Sequence, residues 1–228
     1  MSKHLPATAP EFFSDIHTTY DSLIHRCVPR YDEMLDCLIH YLPVSPGQIL
    51  ELGCGTGNLT RRLVERFPSA SIVTVDASPE MAAAARDLVG GRVTPIVSRF
   101  EDLAFDGKGF DLIVSSISLH HVADKGALYS MLNQWLGKGG EFWFSDQCAG
   151  ATERTHDRNW ADWLTFCRRE GGCTEDEIKD LLDHAAAHDH YTPVPEHFRL
   201  LARAGFEEGS IDCVWRNLIW AIIGAQRP

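Results

Sequence analysis

Two rhythms of apolar residues alternate along the chain. Short apolar runs fall at residues 49–52, 72–76, 93–97, 110–115 and 141–146. Between them, apolar residues return every three or four positions: Leu59, Leu63 and Phe67 after the first run, and Leu128, Met131, Leu132 and Leu136 after the fourth. A short continuous run reads as a buried strand, and the three-to-four spacing as the packed face of a helix. Strand and helix taking turns in this way predict a mostly parallel sheet covered on both sides by helices.

Three stretches stand outside this alternation. Residues 1–10, rich in Pro and Ala, read as a loose tail. Residues 12–42 carry two helical stripes, Ile16, Tyr20, Leu23 and Ile24, then Met34, Leu35, Leu38 and Ile39. Pro29 restricts Val28 and lacks an amide hydrogen, so it predicts a break between them. Between Cys148 and Tyr191 lies a helical insertion with the stripe Trp160, Trp163, Leu164 and Phe166. There Thr174 and Glu177 frame a capping box ahead of Ile178, Leu181, Leu182 and Ala185. The chain then predicts a helix over 196–204 ending at Gly205, and two closing strands, 206–214 and 218–225, joined at Arg216 and Asn217.

Composition narrows the picture. With 228 residues the chain can bury one full core, so residues 1–228 are expected to form a single domain, with a helical cover at 11–42 and the insert at 148–191. A net charge of −11 argues against direct contact with a nucleic-acid backbone, which needs a basic face. Seven scattered cysteines without a C-x-x-C pair indicate neither a disulfide framework nor a zinc ribbon. No basic leader and no apolar run of membrane length is visible, so a cytoplasmic protein is expected.

The first strand runs into Gly53-Cys54-Gly55-Thr56-Gly57 and then a helix. Missing side chains let a ligand approach the backbone of such a turn. A dinucleotide fingerprint spaces its glycines G-x-G-x-x-G, but here the third place holds Asn58, and no phosphate-loop lysine follows. A ligand without phosphates fits better. The second strand ends in Asp76, where a carboxylate can accept both hydroxyl protons of a ribose. Ser78-Pro79-Glu80 caps the next helix.

Glu51-Leu52-Gly53-Cys54-Gly55-Thr56-Gly57 resembles the first motif of class I S-adenosylmethionine-dependent methyltransferases, and the later elements follow in that family's order. The resemblance implies a Rossmann-like α/β fold: a seven-stranded, mostly parallel sheet with an antiparallel last strand and a helical cap. It also implies S-adenosyl-L-methionine as cofactor, held by Gly53, Cys54, Gly55, Asp76, Ala77, Met81, Phe100, Glu101 and Ser116. Arg99 stands where many relatives carry an aspartate. Arg26-Cys27-Val28-Pro29-Arg30-Tyr31 resembles a segment of carboxy-S-adenosylmethionine synthases, which adds Arg26 and Tyr31 to the expected cofactor contacts and extends to a homodimer. Leu119-His120-His121 resembles the Leu-His-His segment of small-molecule methyltransferases. The Asn/Asp-Pro-Pro-aromatic tetrapeptide of nucleobase and protein amino methylation is lacking.

These residues point to methyl transfer onto a small-molecule acceptor, with the methylated atom (N, O, S or C) left open. His121 is the candidate catalytic base, because imidazole titrates near neutrality. Tyr20, His120, Asp146, Trp160 and Trp163 are expected against the acceptor. His184, His188 and His190 with Asp183 and Asp189 lack a third ligand at a firm spacing, so no metal is expected. Three alternatives are weighed. A carboxy-S-adenosylmethionine synthase-like enzyme of tRNA wobble-uridine modification is opposed by Arg99, by Ser116 and by Leu200, the last at the place of that branch's arginine. An NAD-dependent oxidoreductase is opposed by Asn58, and a non-enzymatic S-adenosylmethionine-binding module by the intact turn and Asp76.

Overall fold

The structure, a computed structural model, describes residues 8–105 and 109–228. Its centre is a sheet in the order β3-β2-β1-β4-β5-β8-β7. The strands are β1 (Gln48–Leu52), β2 (Ser71–Asp76), β3 (Thr94–Val97), β4 (Phe110–Ser116), β5 (Leu136–Ala149), β7 (Asp212–Asn217) and β8 (Trp220–Gln226). A two-residue strand, β6 (Thr192–Pro193), pairs with the end of β5. β1 to β5 run parallel, and β8 is antiparallel to both β5 and β7.

Burial explains the order. β1 and β4 are almost wholly buried, as central parallel strands are. β3 lies at the edge and carries Pro95, which cannot donate to a ladder. Neighbouring residues of a strand serve opposite faces. Ile49 and Ile72 pack with Leu35, Leu38 and Leu63 on one side, whereas Leu50, Leu52 and Val73 pack with Leu128, Leu132 and Leu201 on the other. The first layer is built by α3 (Tyr31–Tyr41) and α4 (Asn58–Arg66), the second by α6 (Lys125–Trp135) and α9 (Val194–Arg203).

The cover before β1 has three helices rather than two: α1 (Ala9–Ile16), α2 (Tyr20–Cys27) and α3. The break at Pro29 falls where the sequence puts it. The additional break follows Ile16, whose carbonyl takes both the amide and the hydroxyl of Thr19, at 2.9 and 3.1 Å. A hydroxyl that bonds backward competes with the helix. α1 also starts inside the stretch expected to be loose: Thr8 donates its amide to Glu11, 3.0 Å away, at the helix start. Residues 1–7 lie outside the described residues.

Two further boundaries move. Gly137 to Gly140, ahead of the apolar run at 141–146, already belong to β5, where the pairing with β4 shifts register between Phe110 and Leu112. The last hairpin turns at Leu218 and Ile219, beyond Asn217, with Leu218 at φ +50°. The insert is α7 (Glu153–Arg169) and α8 (Glu175–His188), and α8 begins with the Thr174–Glu177 capping box. α5 (Pro79–Leu88) completes the helices and starts from Ser78, whose hydroxyl accepts the Met81 amide at 3.2 Å.

Candidate functional site

β1 delivers the chain into the glycine turn, and the turn is shaped by close approach. Gly53 lies at φ +69°, and a β-carbon there would sit 2.4 Å from the Cβ and Oγ of Ser118. Gly57 opens α4 at φ +98°, where a β-carbon would meet the Ala85 Cα at 2.9 Å. Only glycine suits either place.

At the end of β2, the Asp76 Oδ2 accepts the Gly55 amide and its Oδ1 the Ser78 amide, each at 2.9 Å. Burial pushes this carboxyl above its usual range, while the amides of Ser78 and Gly55 pull it back. Ser115 and Ser118 donate their hydroxyls to the Leu52 carbonyl at 2.9 and 3.2 Å and contact each other at 2.7 Å. They tie the end of β4 to the end of β1. Ile117 between them sits at φ +53°, an uncommon place for a β-branched residue.

Above these strand ends opens a cleft of about 330 Å³. Tyr31, Gly53, Cys54, Gly55, Asp76, Ala77, Met81, Phe100, Glu101 and Ser116 line it, and so do Tyr20 and His121. Arg26 is not among the lining residues. Its guanidinium holds the Glu177 carboxylate at 2.5 and 2.9 Å, joining α2 to α8. The side chain expected to contact the cofactor thus fastens the cover to the insert, because Glu177 faces it from the first turn of α8. α2 is also tied to the glycine turn, since Asp21 accepts Thr56 Oγ1 at 2.5 Å and Asn58 Nδ2 at 2.9 Å. α1 reaches α5 through Ser14, which donates to Glu80 at 2.7 Å.

A smaller cavity of about 70 Å³ adjoins the cleft. Phe13, Tyr20, Ile117 and His121 line both. His120 and Trp163 border the smaller one. Trp163 is buried and donates its indole N–H to the Cys27 carbonyl at 2.7 Å. Trp160 packs on Trp163 and Tyr191 and lines neither space as described, and Asp146 lies behind the wall with its Oδ1 2.6 Å from His120 Nδ1. Burial works against a charged His120, but the Asp146 carboxylate prevails and raises its pKa. For His121 burial comes first and the neighbouring His120 adds to it, so its pKa is lowered and the ring is neutral near pH 7.

The histidine-rich end of α8 divides in the structure. His188 and His190 line the cleft, Asp183 pairs with Lys179, and His184 and Asp189 turn toward His121. The sequence reading missed Asp21, Ser118 and Phe13. Their types carry no signal by themselves, and each matters through a residue far along the chain.

The residues fit S-adenosylmethionine. The turn is stripped of side chains at Gly53, Gly55 and Gly57, the buried acid at Asp76 is aimed by backbone amides, and the cleft is walled by Met81 and Phe100.

Residues 49–140 match a family described as a methyltransferase domain. The chain is 36% identical over 124 residues to a trans-aconitate 2-methyltransferase of Streptomyces avermitilis, covering 52% of this chain and 44% of that protein. It is 40% identical over 112 residues to a malonyl-[acyl-carrier protein] O-methyltransferase of Neorickettsia risticii, covering 47% of this chain and 43% of that protein. The chain thus spans less than half the length of these two curated relatives. Among solved structures, an S-adenosylmethionine-dependent methyltransferase from Mesorhizobium loti superimposes with a TM-score of 0.63 at 23% identity, over 84% of this chain and 96% of that one. The glycine turn, the acid at the end of β2 and the sheet order agree with these likenesses: residues 49–140 match a methyltransferase domain, and the fold is that of S-adenosylmethionine-dependent methyltransferases.

Proposed function

We propose that the protein transfers a methyl group from S-adenosylmethionine to a small-molecule acceptor seated where the two cavities meet. The observation that carries this reading is the shared wall: Phe13, Tyr20, Ile117 and His121 face both the cleft beside the glycine turn and the smaller cavity behind it. A cofactor lying along Gly53, Gly55 and Asp76 leaves the smaller, aromatic cavity for the acceptor.

S-adenosylmethionine, when bound, supplies a methyl group that is already electrophilic on its sulfonium. The task left to the chain is placement and the exclusion of water. Tyr20 and Tyr31 come from the cover, and Asp21 fastens that cover to Thr56 and Asn58. His121 is the neutral nitrogen base on the shared wall, suited to orient an acceptor and to share its proton. Phe13 and Trp163 supply apolar surface to a flat or apolar acceptor.

The carboxy-S-adenosylmethionine reading gains nothing from the geometry. Arg26 is occupied by Glu177, and Arg199, beside Leu200, is paired with Glu196 on the outside of α9. Neither lines the cleft as described.

Titration calorimetry with S-adenosylhomocysteine tests the cofactor half, with micromolar binding expected. Radiolabelled methyl transfer into a fractionated small-molecule extract tests the other half. Absence of homocysteine-product binding overturns the reading. Label that enters protein or tRNA and no small molecule overturns the acceptor class.

A further inference from the structure

Three nitrogens converge on one oxygen without a hydrogen bond among them. Asp189 Oδ1 lies 3.0 Å from His121 Nδ1, and 3.9 Å from both His120 Nε2 and His184 Nε2. None of the nitrogens is aligned for a bond to it, and Asp189 Oδ1, both ring nitrogens of His121 and both of His184 have no hydrogen-bond partner among the described residues. The side chains of Asp189 and His184 are 4% and 7% exposed, and that of His121, on the cleft wall, 19%. An unpartnered buried polar group keeps its desolvation cost without a compensating bond. Five such atoms gathered around one small cavity call for a common explanation.

We infer that His120, His121 and Asp189 hold a divalent transition-metal ion at the junction of the two cavities, with His184 as a fourth donor. The ligand atoms of the first three lie within 4.8 Å of one another. Two atoms bound at about 2.1 Å to a single ion are about 3.0–3.4 Å apart; Asp189 Oδ1 stands 3.0 Å from His121 Nδ1 and 3.9 Å from His120 Nε2, so the set would draw together around one. The surroundings fit as well. His120 turns its other nitrogen to the buried Asp146 carboxylate at 2.6 Å, the outer contact that fixes the ring of a metal-binding histidine. Asp189 keeps its second oxygen on the Tyr191 hydroxyl, 2.5 Å away.

Imidazoles with one carboxylate select a zinc-, iron-, cobalt- or nickel-type ion over calcium or magnesium. His121 borders the cleft, so an open coordination position would face the acceptor space and take an acceptor oxygen or nitrogen. This inference rests on the methyl-transfer reading for the acceptor, and with the ion bound His121 positions the acceptor as a ligand in place of acting as its base. A second cluster, the thiols of Cys27, Cys167 and Cys173, is the competing site for such a cation.

Cobalt(II) titrated into the full chain, stripped of metal by a chelator, decides the matter by visible absorption. One equivalent should bind with the weak ligand-field bands of nitrogen and oxygen donors. Asp189→Asn should abolish that spectrum, Asp146→Asn should weaken binding about tenfold, and Cys27→Ser should leave it intact. Each variant is checked for folding by its circular dichroism and its binding of S-adenosylhomocysteine. Intense sulfur-to-cobalt charge-transfer bands would place the ion at the cysteines and overturn the inference. A chain that binds S-adenosylhomocysteine but no cobalt overturns it too, and leaves the methyl-transfer reading standing.

Discussion

Asp76 reaches across the glycine turn to Gly55, its Oδ2 2.9 Å from the Gly55 amide, while its Oδ1 receives the Ser78 amide. The acid that closes β2 is thereby aimed before any ligand arrives. Asp76→Ala removes a carboxylate that would make charge-assisted hydrogen bonds to a ribose, worth about 1.5–3 kcal/mol. Calorimetry should show S-adenosylhomocysteine binding weakened about tenfold to a hundredfold. An unchanged affinity would mean that the ligand's sugar lies elsewhere.

Gly53 and Ser118 make the tightest pairing in the turn. Gly53→Ala would force a β-carbon to 2.4 Å from Ser118 and an alanine to φ +69°. The melting temperature should fall by several degrees, and Ser118→Gly added to it should recover part of the loss. The recovery stays partial, because the backbone strain remains and the Ser118 bond to the Leu52 carbonyl is gone.

Arg26 and Glu177 join α2 to α8 and do not touch the cleft. A double-mutant cycle with alanine at both should give a coupling of about 0.5–1 kcal/mol, reduced by salt. S-adenosylhomocysteine affinity in Arg26→Ala should stay within about twofold of the parent, since that is what a few tenths of a kcal/mol allow. The guanidinium holds Glu177 down to a pKa of about 2. The pair's contribution is complete above the unfolded carboxyl value, about 4.3, and fades as pH falls toward 2. A tenfold loss of affinity in Arg26→Ala would restore this residue to the cofactor site.

Glu51 has the opposite sign. It is buried, with Thr60 donating to Oε2 at 2.7 Å and Oε1 without a hydrogen-bond partner among the described residues. Burial raises its pKa to about 8, against the pull of Thr60. The folded chain therefore holds this proton more tightly than the unfolded one. Stability from this group is full below about pH 4.3 and is lost as pH rises through 8. Glu51→Gln should flatten that decline and be the more stable form at pH 9, by something on the order of 1–2 kcal/mol. Urea titrations at pH 5, 7 and 9 measure it, and parallel profiles for the two proteins would contradict the assignment.

What could be seen in the sequence follows from distance along the chain. The glycine turn, Asp76, the Ser78 cap and the Thr174–Glu177 box are local patterns, and each acts within a few residues or one strand–helix unit. The strands were legible for the same reason, since an apolar run records its own burial. Arg26 is a different case: its type suits an anion of any kind, and only the fold supplies Glu177. Asp21 reads as an ordinary acid on a helix until Thr56 and Asn58 are brought beneath it. His120 and His121 read as one segment, and His184 with Asp189 as part of another much further along the chain; only the fold brings Asp189 to His121.

The turn at Ile117 has a consequence of another kind. Holding a branched side chain in a left-handed bend takes on the order of 1–2 kcal/mol from the fold, and that tension sits at the partition between the two chambers. Rearranging the partition would release that tension at the cost of the Ile117 amide bond to the Ser145 carbonyl, 2.8 Å long. Accommodation of a differently shaped guest would begin with this bend, ahead of the serines that hold its two ends.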